Sequence, residues 1–293
     1  MATKQAPAKK KPAASQGRPA GLFTWIVLGL VVIVIAVVVV VKVTQTTPGV
    51  ITADYQPASP ALTGPLTSVP ASIYDQVGIT SAIAVTPPTV QHGEPLYTTT
   101  STAGKLPTVL YVGAGYCPFC ASQRWSTIMA LSRFGTFHNL GITASTADAA
   151  TFGRIETFTF YKSSFTSQYI NFQGVEEYGA NLNAAQTAWQ PLMKLGSAAA
   201  KVMSTYDSNG TYPFISFGNQ AVANGASVSP SVFAGLTRAE IVNALSAPSN
   251  PVTQALVASA NYQTAIICQL THGQPGKVCS STGVTTAAKA LGI

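Results

Sequence analysis

The sequence predicts an α/β domain preceded by one N-terminal transmembrane helix, and three observations carry that expectation. Leu22 to Val41 (LFTWIVLGLVVIVIAVVVVV) is a twenty-residue stretch without a charge. Further along, the β-branched and aromatic run Thr108-Val109-Leu110-Tyr111-Val112 gives way through Gly113-Ala114-Gly115 to a segment of helical periodicity, with Trp125, Ile128, Met129 and Ser132 at helical spacing and Gly135 beyond its end. Later still, Thr211 to Val222 alternates like a strand after a proline and turns back through Gly218-Asn219. Leu236 to Leu245 then reads as an amphipathic helix, with Thr237 as N-cap and Glu240 completing a capping box.

At a rise of 1.5 Å per residue, the uncharged stretch reaches about 30 Å, the thickness of a bilayer's hydrocarbon core. A cleaved signal peptide would have a shorter apolar region ending in a small-residue cleavage site. Lys42-Val43-Thr44-Gln45 offers no such site, so a retained anchor is expected. Lys4, Lys9, Lys10, Lys11 and Arg18 precede the span and Lys42 follows it, which leaves the N-terminus cytoplasmic and the body outside. The basic tail needs no role beyond topology and contact with the lipid bilayer.

The chain has 16 Lys and Arg against 9 Asp and Glu. Six of the basic residues flank the span, so the body beyond it carries 10 basic and 9 acidic side chains and is nearly neutral. That balance excludes a nucleic-acid-binding domain, which must neutralise a row of phosphates. With 47% hydrophobic residues and only 9% charged, the body is too apolar to remain disordered. The expected organisation is a basic tail over 1–21, the span over 22–41, and a Pro/Thr/Ser-rich linker over 42–70. An extracytoplasmic domain follows over 71–280, then a C-terminal tail over 281–293.

Four cysteines fall into two local pairs, the arithmetic of a redox site plus a staple in an oxidising compartment. Cys117-Pro118-Phe119-Cys120 opens the first predicted helix. A sulfur at a helix N-terminus meets free backbone N–H groups and the positive end of the helix dipole, which favour thiolate over thiol. Pro118 suits the first helical position because it has no N–H to lose. Cys117 is therefore expected to be the exposed, low-pKa attacking sulfur and Cys120 the resolving thiol. The alternatives for this pair are a zinc site, for which His92, His138 and His272 supply no second ligand motif, and a structural bond, which would close too small a loop to constrain much chain entropy. Cys268 and Cys279 bracket the turn-forming stretch Thr271 to Gly276 and read as a structural disulfide; a second, relaying exchange pair is the sharper alternative.

The order strand, glycine turn, C-x-x-C, helix, later strand hairpin, helix resembles the thioredoxin fold. The resemblance implies a cis-proline facing the dithiol, and Tyr212-Pro213 stands in the matching place. Closer still, the chain resembles a family of membrane-anchored bacterial and archaeal proteins catalogued as a domain of unknown function with a thioredoxin-like core. The segments that carry this likeness are Tyr111 to Cys120, Leu131 to Gly135, Thr157 to Tyr161, Pro213 to Asn219, and Ser259 to Tyr262 with the final cysteine, spanning about residues 65 to 280. It departs at Glu156, where the family pattern has a proline ahead of the Thr157-Phe158-Thr159-Phe160 strand, and this leaves Pro213 as the cis-proline candidate. Tyr116, Pro118, Phe119 and Tyr212 are the residues expected to support the site.

A helical insertion is expected over about 165–208, with Asn183 to Tyr206 read as helix interrupted at Pro191 and Gly196; it either flanks the dithiol and holds substrates or merely packs on the core. Arg124 is read as part of a solvated helix face rather than as a support for the thiolate, His138 as a loop or packing residue, and Trp125 and Trp189 as core. Two functions stay open. One is a membrane-anchored thiol:disulfide oxidoreductase or isomerase, without cofactor, acting on extracytoplasmic substrate proteins and exchanging electrons with a membrane redox partner by analogy. The other is a non-enzymatic envelope module that binds a partner protein and is stabilised by its cysteines.

Overall fold

Residues 53–293 are described by the computed structural model. The expected span and basic tail lie outside them, and among the described residues no helix is long and apolar enough to cross a membrane. The first elements are strand β1 (Gln56–Pro57), helices α1 (Pro60–Thr67) and α2 (Ala71–Val77), strands β2 (Thr89–Val90), β3 (Thr98–Ser101) and β4 (Gly104–Ala114), and helix α3 (Pro118–Leu131). Strands β5 (Thr136–His138) and β6 (Gly141–Ala144), helix α4 (Ala149–Phe152), and strands β7 (Glu156–Thr159), β8 (Ser164–Thr166), β9 (Asn171–Leu182) and β10 (Trp189–Pro191) follow. Helix α5 (Ser197–Tyr206), strands β11 (Phe214–Phe217) and β12 (Ala221–Asn224), a 3-10 turn at Pro230–Phe233, and helices α6 (Arg238–Ala244), α7 (Pro251–Leu270), α8 (Gly276–Cys279) and α9 (Thr282–Leu291) complete this mixed α/β fold.

The main sheet runs β10-β9-β4-β11-β12-β2, with β3 paired to the start of β4. Strands β4 and β9 are parallel, whereas β11 lies antiparallel to β4 and forms a hairpin with β12. The second half of β4, residues 109–112, reads as an uninterrupted apolar run because it is covered on both faces. Val109 and Tyr111 join the larger core with Trp125, Ile128 and Met129 of α3 and Leu256 and Ile266 of α7. Leu110 and Val112 point the other way, against Ala199, Val202 and Met203 of α5. The β4–α3 unit thus forms as the sequence predicts, as do the β11–β12 hairpin and the Thr237/Glu240 capping box that starts α6.

Contact between α3 and α7 is polar as well as apolar. Gln123 donates to Thr127 Oγ1 at 3.0 Å, Thr127 donates to Gln263 Oε1 at 3.1 Å, and Gln263 in turn donates to Ser126 and Ser259. Every side chain in this ladder is buried and partnered, so the polar groups fix the register of the two helices rather than weakening the core.

Three expected boundaries are corrected. The linker does not run to residue 70: β1 pairs with β6, and α1 buries Leu66 completely, with Pro60 at its first position. The expected helical insertion over 165–208 holds more strand than helix. It holds β9, a twelve-residue member of the main sheet, and β10, and only Ser197–Tyr206 is helical. Residues 281–293 are not a tail either, because α9 buries Val284 and Ala287 and the Gly283 N–H donates to Asp75 at 2.8 Å.

Cys268 and Cys279 are joined, with an S–S distance of 1.98 Å. Cys268 is buried at the end of α7 and Cys279 is half-buried at the end of α8, so the bond ties the segment leading to α9 onto the core helix. The partners lie eleven apart in sequence, and the chain-entropy argument for such a loop gives about 3 kcal/mol. Replacing both by Ala should lower the midpoint of urea unfolding accordingly while leaving the Cys117/Cys120 chemistry intact. Loss of thiol exchange in a still-folded double variant would show a relay instead.

Candidate functional site

Cys117 is the N-cap of α3, and its sulfur accepts the Cys120 N–H at 3.3 Å. Cys120 lies one turn inside the helix, and its own sulfur accepts the Ala114 N–H at 3.4 Å. Both are free cysteines. The sequence leads one to expect an exposed attacking sulfur, but Cys117 retains only 7% of its surface and Cys120 none. Tyr116, Tyr178 and Tyr212 pack around the pair and account for the cover.

The two thiols are pushed in opposite directions. Cys117 is held below the ordinary thiol range, first by the Cys120 side chain, which donates to it, and then by the Cys120 and Phe119 N–H groups and the Arg124 charge, against its burial. Cys120 is raised well above that range by burial and by the Cys117 sulfur.

Pro213 follows a cis Tyr212–Pro213 peptide, and the Tyr212 carbonyl oxygen stands 3.8 Å from the Cys117 sulfur, to which a protonated thiol donates. Tyr212 Oη donates to the Glu177 carboxylate, and burial together with that contact raises its pKa. Tyr116 stacks on Trp189 with centroids 4.2 Å apart, and burial pushes its hydroxyl up to about 12. Trp125 is core as expected, whereas Trp189 is a half-buried strand residue beside the site. Phe119 is 39% exposed and meets Phe152 edge to face, so one aromatic side chain next to the dithiol faces solvent. His138 is exposed and shares a hydrogen bond with Thr166, away from these residues.

Arg124 corrects the expectation of a solvated face. It is fully buried, with Nε and Nη2 bound to the two carboxylate oxygens of Glu176 at 2.7 and 2.6 Å, and Nη2 also donates to the Ala114 carbonyl at 2.8 Å. Burial opposes the guanidinium charge, but Glu176 outweighs it and Arg124 stays cationic. A one-residue register shift in β9 places Gly113 opposite Glu176 and Ala114 opposite Tyr178, leaving Glu177 as the extra residue. Glu176 therefore serves the buried side under α3 and Glu177 reaches Tyr212 at the mouth. Sequence reading misses Glu176, Glu177 and Tyr178, although two adjacent acids among nine in the whole chain are a signal.

Gly115 carries the turn between β4 and α3 past β9. A Cβ there would stand 2.8 Å from the Gly179 carbonyl carbon and 2.9 Å from the Ala180 nitrogen, and the Gly115 N–H donates to Tyr178 at 2.7 Å. Among the described residues no group of three or more His, Cys, Asp or Glu side chains is placed to hold a metal ion. Chemically, the arrangement offers one activated sulfur, one buried thiol, a backbone carbonyl and an aromatic rim.

No curated protein and no solved structure matches the chain significantly. A family model does match, over residues 98–269, more than half of the chain and a stretch that includes Cys117, Cys120, Glu176, Pro213 and Cys268. The chain thus belongs to the family described as Domain of unknown function (DUF929).

Proposed function

We propose that this protein is a membrane-anchored thiol:disulfide oxidoreductase or isomerase with a thioredoxin-like core, acting outside the cytoplasmic membrane on envelope or secreted proteins. The observation that carries the reading is the dithiol itself: two free cysteines one helical turn apart, the outer one favoured as thiolate and the inner one held protonated. The sheet order β9-β4-β11-β12 supports the thioredoxin-like core, with β4 and β9 parallel, the dithiol helix following β4 and Pro213 just ahead of β11.

The Cys117 thiolate attacks a substrate disulfide, forming a mixed disulfide and releasing one substrate thiolate. Cys120, once deprotonated, attacks the Cys117 sulfur and releases the second. Two electrons pass from the dithiol to the substrate, and run backwards the same steps oxidise it. The Tyr212 carbonyl offers an acceptor to the substrate backbone beside the reacting sulfur, and Tyr116, Phe119 and Trp189 offer aromatic contact. A membrane redox partner would reset the pair.

Cover over Cys117 favours the second reading, a binding module whose cysteines only stabilise it. Trapping separates the two. Cys120→Ser should accumulate a mixed disulfide with a substrate protein on a non-reducing gel, because no intramolecular thiol can release it, whereas Cys117→Ser should give no adduct. Absence of adducts from Cys120→Ser, with equal alkylation rates of the two wild-type thiols, would leave the binding module.

A further inference from the structure

Cys120 presents a chemical difficulty that the dithiol alone does not resolve. Its sulfur is fully buried and accepts a hydrogen bond from the Ala114 N–H, yet to attack the mixed disulfide it must become a thiolate. A buried anion needs donors.

Two donors beside it are unused. Arg124 Nη1 and Tyr111 Oη have no hydrogen-bond partner, and both residues are completely buried. The other guanidinium donors of Arg124 are taken by Glu176 and the Ala114 carbonyl. The Arg124 guanidinium carbon lies 5.9 Å from the centre of the Tyr111 ring, so the two are neighbours. Gly113 locates the Tyr111 hydroxyl relative to the sulfur. A Cβ at that position would stand 2.5 Å from the Tyr111 hydroxyl and 3.0 Å from Cys120 Sγ, so hydroxyl and sulfur border one small space that only a glycine leaves open. Buried polar groups are almost always satisfied, and orphaned donors on two neighbouring residues, one of them beside the sulfur, point to an acceptor that arises during the reaction. Burial also keeps Tyr111 a neutral phenol, and therefore a donor.

We propose that the Tyr111 hydroxyl and the free Arg124 Nη1–H are the donors that receive the Cys120 thiolate while the mixed disulfide is resolved. The inference rests on the exchange reading above and assigns to it two residues outside the C-x-x-C motif. In the step itself, the Cys120 proton passes to the substrate thiolate released first, or to solvent where that thiolate is too weak a base, and the Cys120 sulfur then bonds to the Cys117 sulfur. The bond between Cys117 and the substrate breaks, and the second substrate thiolate departs and takes a proton from solvent. Charged and titratable groups around Cys120 are Cys117 at the N-cap and Arg124 on α3, Tyr111 on β4, Glu176 and Tyr178 on β9, and the rim tyrosines Tyr116 and Tyr212.

Tyr111→Phe tests this cleanly, because deleting an unpartnered buried hydroxyl should leave the fold at least as stable. The reduced full-length chain is mixed with a bis-nitrobenzoate disulfide, whose coloured thiolate leaves once when Cys117 attacks and again when Cys120 resolves. In Tyr111→Phe the second phase should slow about tenfold or more and its pH midpoint should move upward, while the first phase changes far less. A second phase of unchanged rate and pH midpoint, in a variant with wild-type melting, would overturn the role of Tyr111 and leave the exchange reading standing. A wild-type chain that releases only one equivalent would overturn both.

Discussion

Arg124→Met should destabilise the domain by about 3–5 kcal/mol, among the largest effects of any single substitution in this chain, because it leaves the Glu176 carboxylate buried without its counter-charge. Both side chains are completely covered, and the two bonds of 2.6 and 2.7 Å are the main compensation for removing two charges from water. The Phe160 N–H, which donates to Glu176 at 3.3 Å, is a weak substitute for a guanidinium. The double variant Arg124→Met/Glu176→Leu should recover most of the loss, since a buried ion pair exchanged for apolar side chains is often neutral. Recovery should stop short of wild type, because the Ala114 carbonyl loses the donor it takes from Arg124 and the Phe160 N–H its carboxylate acceptor. Urea unfolding of the two singles and the double measures the coupling directly. Singles that each cost under about 1 kcal/mol would mean that the pair is solvated in solution.

The same pair shows where sequence reading stops. Arg124 has no acid three or four residues away on its helix, so locally it looks solvated; its partner is fifty-two residues further on. Strand β9 is concealed by the same contact, since Asn-Phe-Gln-Gly-Val-Glu-Glu-Tyr-Gly-Ala-Asn-Leu does not alternate and places two acids at its centre. Only the guanidinium arriving from α3 makes a buried Glu176 tolerable, and that is a tertiary fact. Helix α1, with glycine and proline inside an eight-residue stretch, has poor intrinsic propensity and reads as spacer; packing of Leu66 and Leu62 on the core decides the matter. What is local was legible. The β-branched run of β4, the glycines after it, the cysteine and proline that begin α3, and the Thr237/Glu240 box all act within a few residues. The cysteine pairs are readable for the same reason, although the part of the cover over Cys117 that comes from Tyr178 on β9 and from the Tyr212 segment is not.

Titration of the reduced protein should separate its two free thiols widely, with one thiolate appearing below the ordinary thiol pKa of about 8.5 and the other only well above it. Cys117 is the first, held down by the Cys120 thiol and by the N–H groups at the start of α3, and Cys120 is the second, held up by complete burial. These shifts also set how stability depends on pH. The Cys117 pKa is depressed in the fold, so its contribution is present above the ordinary thiol pKa and is lost as pH falls through the folded value. The Cys120 pKa is raised, so its contribution is present below the ordinary value and is lost as pH rises towards the folded one. Together they make the reduced protein most stable, relative to Cys117→Ser/Cys120→Ser, near about pH 8.5, with the difference shrinking on either side. Urea unfolding of the two proteins from about pH 6 to 10 reads that difference, and groups common to both cancel. Thiolate absorbance that rises in one step near the ordinary value, with a stability difference that does not vary with pH, would mean that neither the helix terminus nor burial distinguishes the sulfurs and that Cys117 has no advantage as the attacking group.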